Sequence, residues 1–254
     1  MADTCLQVRE VVSGYGYGTV LRGVTLDVPR HRMTCLIGPN GAGKSTLLRA
    51  ISGLIAVQSG SIELDGIALH RLTPRRVLEA GVVHVPQDRS LFPTLTVWEN
   101  LLMGGYILKD GAEVRRRAEA LAERFPSIQQ FRNAHAGSLS GGQQRIIEFA
   151  RALMLEPTLV LADEPSLGLD PKSRALVFET LATMTRDGIT VLCVEQNARS
   201  ALRVSDHAAV LELGKVRIED AAASLLDNPE VGRLYLGASA AAHRRPAHTE
   251  HART

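Results

Sequence analysis

Gly38-Pro39-Asn40-Gly41-Ala42-Gly43-Lys44-Ser45 meets the pattern GxxxxGK[ST] at every fixed position, and Thr46 follows it. The apolar run Met33–Ile37 before it reads as a buried strand, and KSTLLRAISGL after it carries helical spacing at Leu47, Leu48 and Ile51. Strand, glycine loop and helix succeed one another directly. The glycines let backbone N–H groups turn inward as a nest for phosphate oxygens, and the helix start adds partial positive charge. Residues Gly38 to Thr46 are therefore expected to cradle a nucleotide. Lys44 is expected to reach its β- and γ-phosphates, and the Ser45 hydroxyl to ligate Mg²⁺. Alone, the motif indicates only a nucleoside triphosphate, since kinases, GTPases and motor ATPases share it.

Outward from this loop, Leu6–Val12 and Leu21–Val28 read as short strands joined by GYGYG. Ser61–Leu64, Val82–Val85, Leu159–Ala162 and Thr190–Val194 read as further strands. Between them, residues from about 94 to 154 look largely helical, enough for an inserted subdomain. Strands alternating with helices predict an α/β fold with a mostly parallel sheet. The expected organisation is one unit over 1–237, with the helical insert at about 88–155, and a disordered tail over 238–254. The tail's His243, His248 and His251 read as solvated rather than as metal ligands.

The balance of charge narrows the function. Of 254 residues, 29 are Lys or Arg and 27 are Asp or Glu, leaving a formal charge of +2. That argues against a nucleic-acid clamp. Only four lysines occur, so Lys44 stands out. Cys5, Cys35 and Cys193 form no CxxC pair and read as buried thiols of a reducing compartment. The opening MADTCLQVRE lacks the basic flank and apolar run of a signal peptide, and no stretch of membrane-spanning length is present. Work at a membrane would need a partner.

Leu159-Val160-Leu161-Ala162-Asp163-Glu164 is an apolar strand ending in two carboxylates. Asp163 is expected in the Mg²⁺ shell, and Glu164 where it polarises a water toward the γ-phosphate. Neighbouring strand residues point to opposite faces, so the two share a site only if the strand stops there, as Pro165 suggests.

Leu139-Ser140-Gly141-Gly142-Gln143 then opens a helix, read as Gln144 to Leu155. With GPNGAGKST before it and LVLADEP after it, this LSGGQ signature resembles the ATP-binding-cassette (ABC) ATPases over about residues 5–236. Gln87 in VPQD matches the family's glutamine loop, and SLGLD (166–170) the loop after the second carboxylate. The resemblance implies an antiparallel β part formed by the N-terminal strands, and it assigns Gln87 to the metal and γ-phosphate side of the site. It places Tyr15 against adenine, with Tyr17 a close competitor. Ser140, Gly141, Gly142 and Gln143 would close over the γ-phosphate held by a second subunit, in a head-to-tail dimer around two ATP. A helix N-terminus with free amides fits that role. One departure lies two residues beyond Thr190–Val194. The family places His there to contact the γ-phosphate, whereas this chain has Gln196, which donates a hydrogen bond but carries no charge.

VEQNARSAL, FPTLTVWENLLMGG, DEPSLGL and PEVGRLYLG resemble one of the two ATPase subunits of branched-chain amino acid importers. Closely similar subunits serve importers of urea and short amides. The resemblance implies an ATPase peripheral on the cytoplasmic face of the membrane. Its expected partners are integral-membrane permeases, a second ABC ATPase subunit (a different chain, or a second copy), and indirectly a solute-binding protein. The apolar face near Leu91, Phe92, Leu95 and Trp98 reads equally as a groove for a permease helix or as subdomain core. The rival readings are a soluble non-transport ABC ATPase, a metabolic P-loop kinase and a nucleotide-binding regulator without hydrolysis. LSGGQ and Gln87 have no purpose in the kinase.

Overall fold

The computed structural model describes residues 3–235; the tail expected over 238–254, with its three histidines, lies outside them. The N-terminal strands are not short. β1 (Thr4–Tyr15) and β2 (Gly18–Pro29) form one long antiparallel hairpin. Register shifts around Val8–Val12, with Glu10 at φ 47, break the alternation that would have revealed a single strand. β3 (Met33–Ile37) begins the second sheet and leads into α1 (Lys44–Ile51). β4 (Val57–Leu64) and β5 (Ile67–Ala68) complete a four-stranded antiparallel sheet in the order β2-β1-β4-β5.

After α2 (Pro74–Glu79), β6 (Val82–Val85) forms one edge of the second sheet. Four α-helices follow before the chain returns to that sheet: α3 (Val97–Met103), α4 (Gly111–Arg124), α5 (Pro126–Gln130) and α6 (Gly141–Leu153). α6 starts earlier than the Gln144 expected, because Ser140 caps it. β7 (Leu159–Asp163), α7 (Pro171–Arg186), β8 (Thr190–Val194) and α8 (Ala198–Leu202) come next. β9 (His207–Glu212), β10 (Lys215–Ala221), α9 (Ala222–Asp227) and α10 (Pro229–Tyr235) end the described chain. β9 and β10 are strands the sequence reading did not anticipate.

The six-stranded sheet runs β10-β9-β3-β8-β7-β6, parallel from β9 to β6, with β10 antiparallel at the edge. β3, β7 and β8 are buried at every residue, because both faces of this sheet are covered. On one face Val160, Ala162, Val191 and Cys193 pack with Phe149 and Leu153 of α6 and Leu181 of α7. On the other, Leu161, Leu192 and Val194 meet Leu47, Leu48 and Ile51 of α1, and with them Leu6, Val8 and Leu26 of the antiparallel sheet. α1 is thus a spacer between two sheets. Truncating Leu48 to Ala there would cost about 2–5 kcal/mol.

This layering positions the site. In an open α/β sheet, ligands bind beyond the carboxyl ends of the strands. Leu36, Val194 and Asp163 lie in one register row across β3, β8 and β7. The loops leaving that row are residues 38–43, 164–170 and 195–197. Among the described residues, no helix is long and apolar enough to cross a membrane.

Candidate functional site

The loop after β3 takes the shape its glycines permit. Gly38 (φ 153), Gly41 (φ 79) and Gly43 (φ 106) all have positive φ. A Cβ on Gly38 would fall 2.0 Å from the Leu211 carbonyl oxygen, so β9 closes one side of the loop. A Cβ on Gly41 would meet nothing within 4 Å, so the other side is open space. That open side is where phosphate oxygens would sit. The Ala42 N–H is already given to Pro39 O at 3.2 Å, which leaves the amides of Gly41, Gly43 and Lys44 as the better donors.

Lys44 is 5% exposed, and its Nζ donates to the carbonyls of Gly38 (2.9 Å) and Pro39 (3.1 Å). Burial pulls its pKa below the ordinary lysine value, against the opposing charges of Glu164 and Asp163. One residue on, Ser45 Oγ donates to Asp163 Oδ1 at 2.9 Å. Asp163, 3% exposed, has its carboxyl pushed up by burial, partly offset by the Ser45 hydrogen bond and by Arg49 and Lys44.

β7 does stop at Asp163. Glu164 turns into the left-handed region at φ 43, with its N–H on Val194 O at 2.8 Å. The turn removes the opposite-face difficulty. Glu164 lines a cleft of about 580 Å³ together with Asn40, Gly41, Gly43, Lys44, Ser45, Thr46, Gln87, Leu167 and Gln196. Burial raises the Glu164 pKa, Lys44 opposes this, and the Asp163 charge adds to it. These residues bring four separate segments of sequence to one cleft.

Gln196 reaches that cleft, and the residue before it has a part that sequence reading missed. Glu195 is 1% exposed and accepts from the N–H of Ser166 (2.9 Å) and of Asn197 (3.3 Å). It ties the loop after β7 to the loop after β8. An acid at the end of an otherwise apolar strand was the available signal. His207 is occupied with Glu219 at 3.0 Å, and His84 faces Ser52, so neither replaces a histidine at position 196.

Tyr15 does not line the phosphate cleft. It lines an adjoining cleft of about 840 Å³ with Arg49, Gln87 and Asp163, and its hydroxyl accepts from Arg49 Nη1 at 3.1 Å. Tyr17 is fully exposed. Val20, which the sequence reading did not single out, is the β2 side chain lining the phosphate cleft.

The 140–143 segment lies outside the phosphate cleft of its own chain. Ser140 and Gln143 form a reciprocal capping box, Gln143 N–H to Ser140 Oγ at 3.3 Å and Ser140 N–H to Gln143 Oε1 at 2.9 Å. A Cβ on Gly142 would lie 2.5 Å from Ser173 Oγ on α7. Capping and packing therefore account for Gln143 and Gly142 locally. The motif still opens a thirteen-residue helix, in which the amides of Gly141 and Gly142 have no intrahelical carbonyl partner.

Ser45, Asp163 and Gln87 offer only oxygen donors, the set a hard divalent cation such as Mg²⁺ takes. Among the described residues, no cluster of His, Cys, Asp and Glu could hold a metal by itself.

Residues 21–167 match the ABC transporter family. The high-affinity branched-chain amino acid transport ATP-binding protein BraG of Pseudomonas aeruginosa is 41% identical, over 91% of this chain and 99% of its own. The lipopolysaccharide export system ATP-binding protein LptB of Haemophilus influenzae is 33% identical, over 91% and 97%. A solved dimeric ATP-binding cassette in a post-hydrolysis state with ADP and Pi superposes with a TM-score of 0.74 at 29% identity, over 85% of this chain and 98% of that one.

Proposed function

This chain belongs to the ABC transporter family, as an ATP-hydrolysing subunit of a transporter complex, and from that premise we propose that it energises uptake of branched-chain amino acids. The observation that carries the cargo is the 41% identity to BraG along nearly the whole of both chains. The 33% identity to LptB favours a second reading, an export system, less strongly. Uptake through a urea or short-amide importer is the alternative closest in sequence pattern.

In this reading Lys44, the glycine-loop amides and the start of α1 hold the phosphates of ATP. Glu164 orients and polarises the attacking water, and Gln196 donates to the γ-phosphate side. Ser45, Asp163 and Gln87 would hold Mg²⁺, which when bound supplies positive charge against the phosphate oxygens. Ser140–Gln143 meet the nucleotide of a second ATPase subunit, so ATP draws the two together and loss of the γ-phosphate releases them. Adenine packs near Tyr15 and Val20. Residues 1–237 act as one nucleotide-binding unit, its helical insert at about 88–155, held by permeases at the cytoplasmic face.

The groove for a permease helix is assigned to Leu78, Phe92, Met103 and Tyr106, which line a cleft of about 390 Å³. Phe92, Met103 and Tyr106 are exposed there. Trp98 is not part of it. The Trp98 ring lies beneath the Arg132 guanidinium at 3.5 Å and packs on the core, as does Leu91.

The test is solute uptake by cells carrying the wild type or Glu164→Gln, with labelled leucine, isoleucine, valine, urea and a short amide. Loss of the branched-chain set alone is expected. Loss of urea or amide uptake would change the cargo. Unchanged uptake of every solute, with the variant expressed, would overturn the importer reading.

A further inference from the structure

α6 carries buried ionic side chains that the phosphate cleft does not use. Arg145 and Glu148, with side chains 7% and 1% exposed, pair at 2.8 Å. The Arg145 fork spans two successive carbonyls of the glutamine loop, Nη1 to Pro86 O at 2.9 Å and Nη2 to Gln87 O at 2.8 Å. Glu148 Oε1 accepts from the Ser90 N–H and, at 3.1 Å, from Ser90 Oγ. One turn further on, Arg151 donates to Ser90 O at 2.8 Å and to Ser90 Oγ at 2.6 Å. Positions 145, 148 and 151 lie close together along one face of a helix.

Loops ordinarily give their backbone groups to water. Here the backbone of residues 86–90 is held at both ends by charge-assisted bonds from a single helix, and such bonds are shorter and stronger than neutral ones. An apolar seam of the same volume would hold a helix against a loop at no greater energetic cost. What the ionic clasp adds is register, because a planar fork on two carbonyls admits one placement of the loop. The same helix begins with Ser140–Gln143. The segment that faces a partner's nucleotide and the loop that brings Gln87 to this chain's own cleft are thus joined through one rigid element.

We propose that Arg145 is a positioning residue for ATP hydrolysis: it locks the Gln87 loop to α6, so that capture of a partner's nucleotide at Ser140–Gly142 sets Gln87 in its own site. This rests on the role given to Gln87 above. Removing Arg145 outright would strand Glu148 as a buried unpaired charge, so the informative change is Arg145→Lys. It keeps the charge, but one ammonium cannot serve both carbonyls in the same geometry.

The experiment is a double-mutant cycle on the full chain with Arg145→Lys, Gln87→Ala and the pair. It reads kcat, the melting temperature and the affinity for a fluorescent ATP analogue. Arg145→Lys is expected to lower kcat about tenfold while analogue affinity stays within about twofold, and to cost nothing further once Gln87 is Ala. Ser90→Ala, which removes the Oγ contacts without touching a charge, is expected to behave alike and serves if Arg145→Lys melts early. Losses that multiply in the pair, or an unchanged kcat in Arg145→Lys, overturn the proposal while Gln87 keeps its role. A silent Gln87→Ala overturns the role of Gln87 itself, and the proposal with it.

Discussion

Ser45 Oγ donates to Asp163 Oδ1 at 2.9 Å, joining two residues 118 positions apart in the chain. The first turn of α1 and the last residue of β7 are thereby locked beside the phosphate loop. Burial pushes the Asp163 carboxyl up, and the Ser45 hydroxyl works against that. Both are among the residues proposed above to hold Mg²⁺. Ser45→Ala is therefore expected to raise the Mg²⁺ concentration that half-saturates ATP hydrolysis by about tenfold or more, the worth of one hydrogen bond to a charged group. Titrating Mg²⁺ at saturating ATP reads this directly. An unchanged midpoint would remove Ser45 from the cation's shell.

Glu164 is the carboxylate that the turn at φ 43 aims into the phosphate cleft. Glu164→Gln keeps the shape and the turn and removes the charge proposed to polarise water. Turnover is expected to fall by about 10²–10⁴-fold, the usual contribution of a positioned base. Nucleotide affinity is expected to persist, since Lys44 and the glycine loop are untouched. Phosphate release and nucleotide binding, measured on the same preparation, separate the two. Loss of binding in parallel with turnover would make Glu164 a structural residue.

The strands that frame the site were legible because their burial is continuous. Met33–Ile37, Val82–Val85 and Thr190–Val194 are apolar runs bounded by glycine, proline or polar residues, and they are β3, β6 and β8 without adjustment. β9 and β10 were not, since HAAVLE is alanine-rich and KVRIEDA is a half-exposed edge strand with charges at alternate positions. Lys44, Ser45, Gln87, Glu164 and Gln196, singled out from motifs and from the family resemblance, line one cleft. Arg145 and Glu148 were invisible for a physical reason. Charges inside a helix ordinarily mark a solvated face, and only the packing of the Gln87 loop across α6 turns these inward. Tyr15 could not be separated from Tyr17 by spacing, whereas in three dimensions Tyr15 is bonded to Arg49 and Tyr17 is free in solvent.

His84 predicts an acid weakness. Burial, with the positive charge of Arg49, pushes its pKa down to about 4, from 6.5 for the free group. Ser52 Oγ lies 3.3 Å from Nδ1, and Nε2 is buried without a partner. Glu148 and Arg151 border the same cleft but are occupied with each other's loop contacts. The folded state keeps this imidazole neutral and the unfolded chain protonates it. Its contribution is therefore complete above the unfolded pKa and is lost as pH falls toward the folded one. Between pH 7 and pH 5 the chain should lose about 2 kcal/mol from this group. His84→Leu is expected to flatten that part of the urea-midpoint profile. An equal slope in both proteins would assign the acid sensitivity elsewhere.

Gln196 stands at the mouth of the loop that Glu195 anchors to Ser166, and it lines the phosphate cleft. Its amide can donate to a phosphate oxygen, but it neither carries charge nor titrates. A contact of this kind is worth about a neutral-to-charged hydrogen bond, so Gln196→Ala is expected to lower turnover by about tenfold. Gln196→His fits the same position with a ring that titrates near neutrality, and its rate should acquire a pH dependence between about 6 and 8 that the wild type lacks. Turnover of the three proteins across that range checks both statements. If Gln196→Ala matches the wild type in rate and ATP affinity, the side chain does not touch the nucleotide, and the departure from histidine is neutral for catalysis.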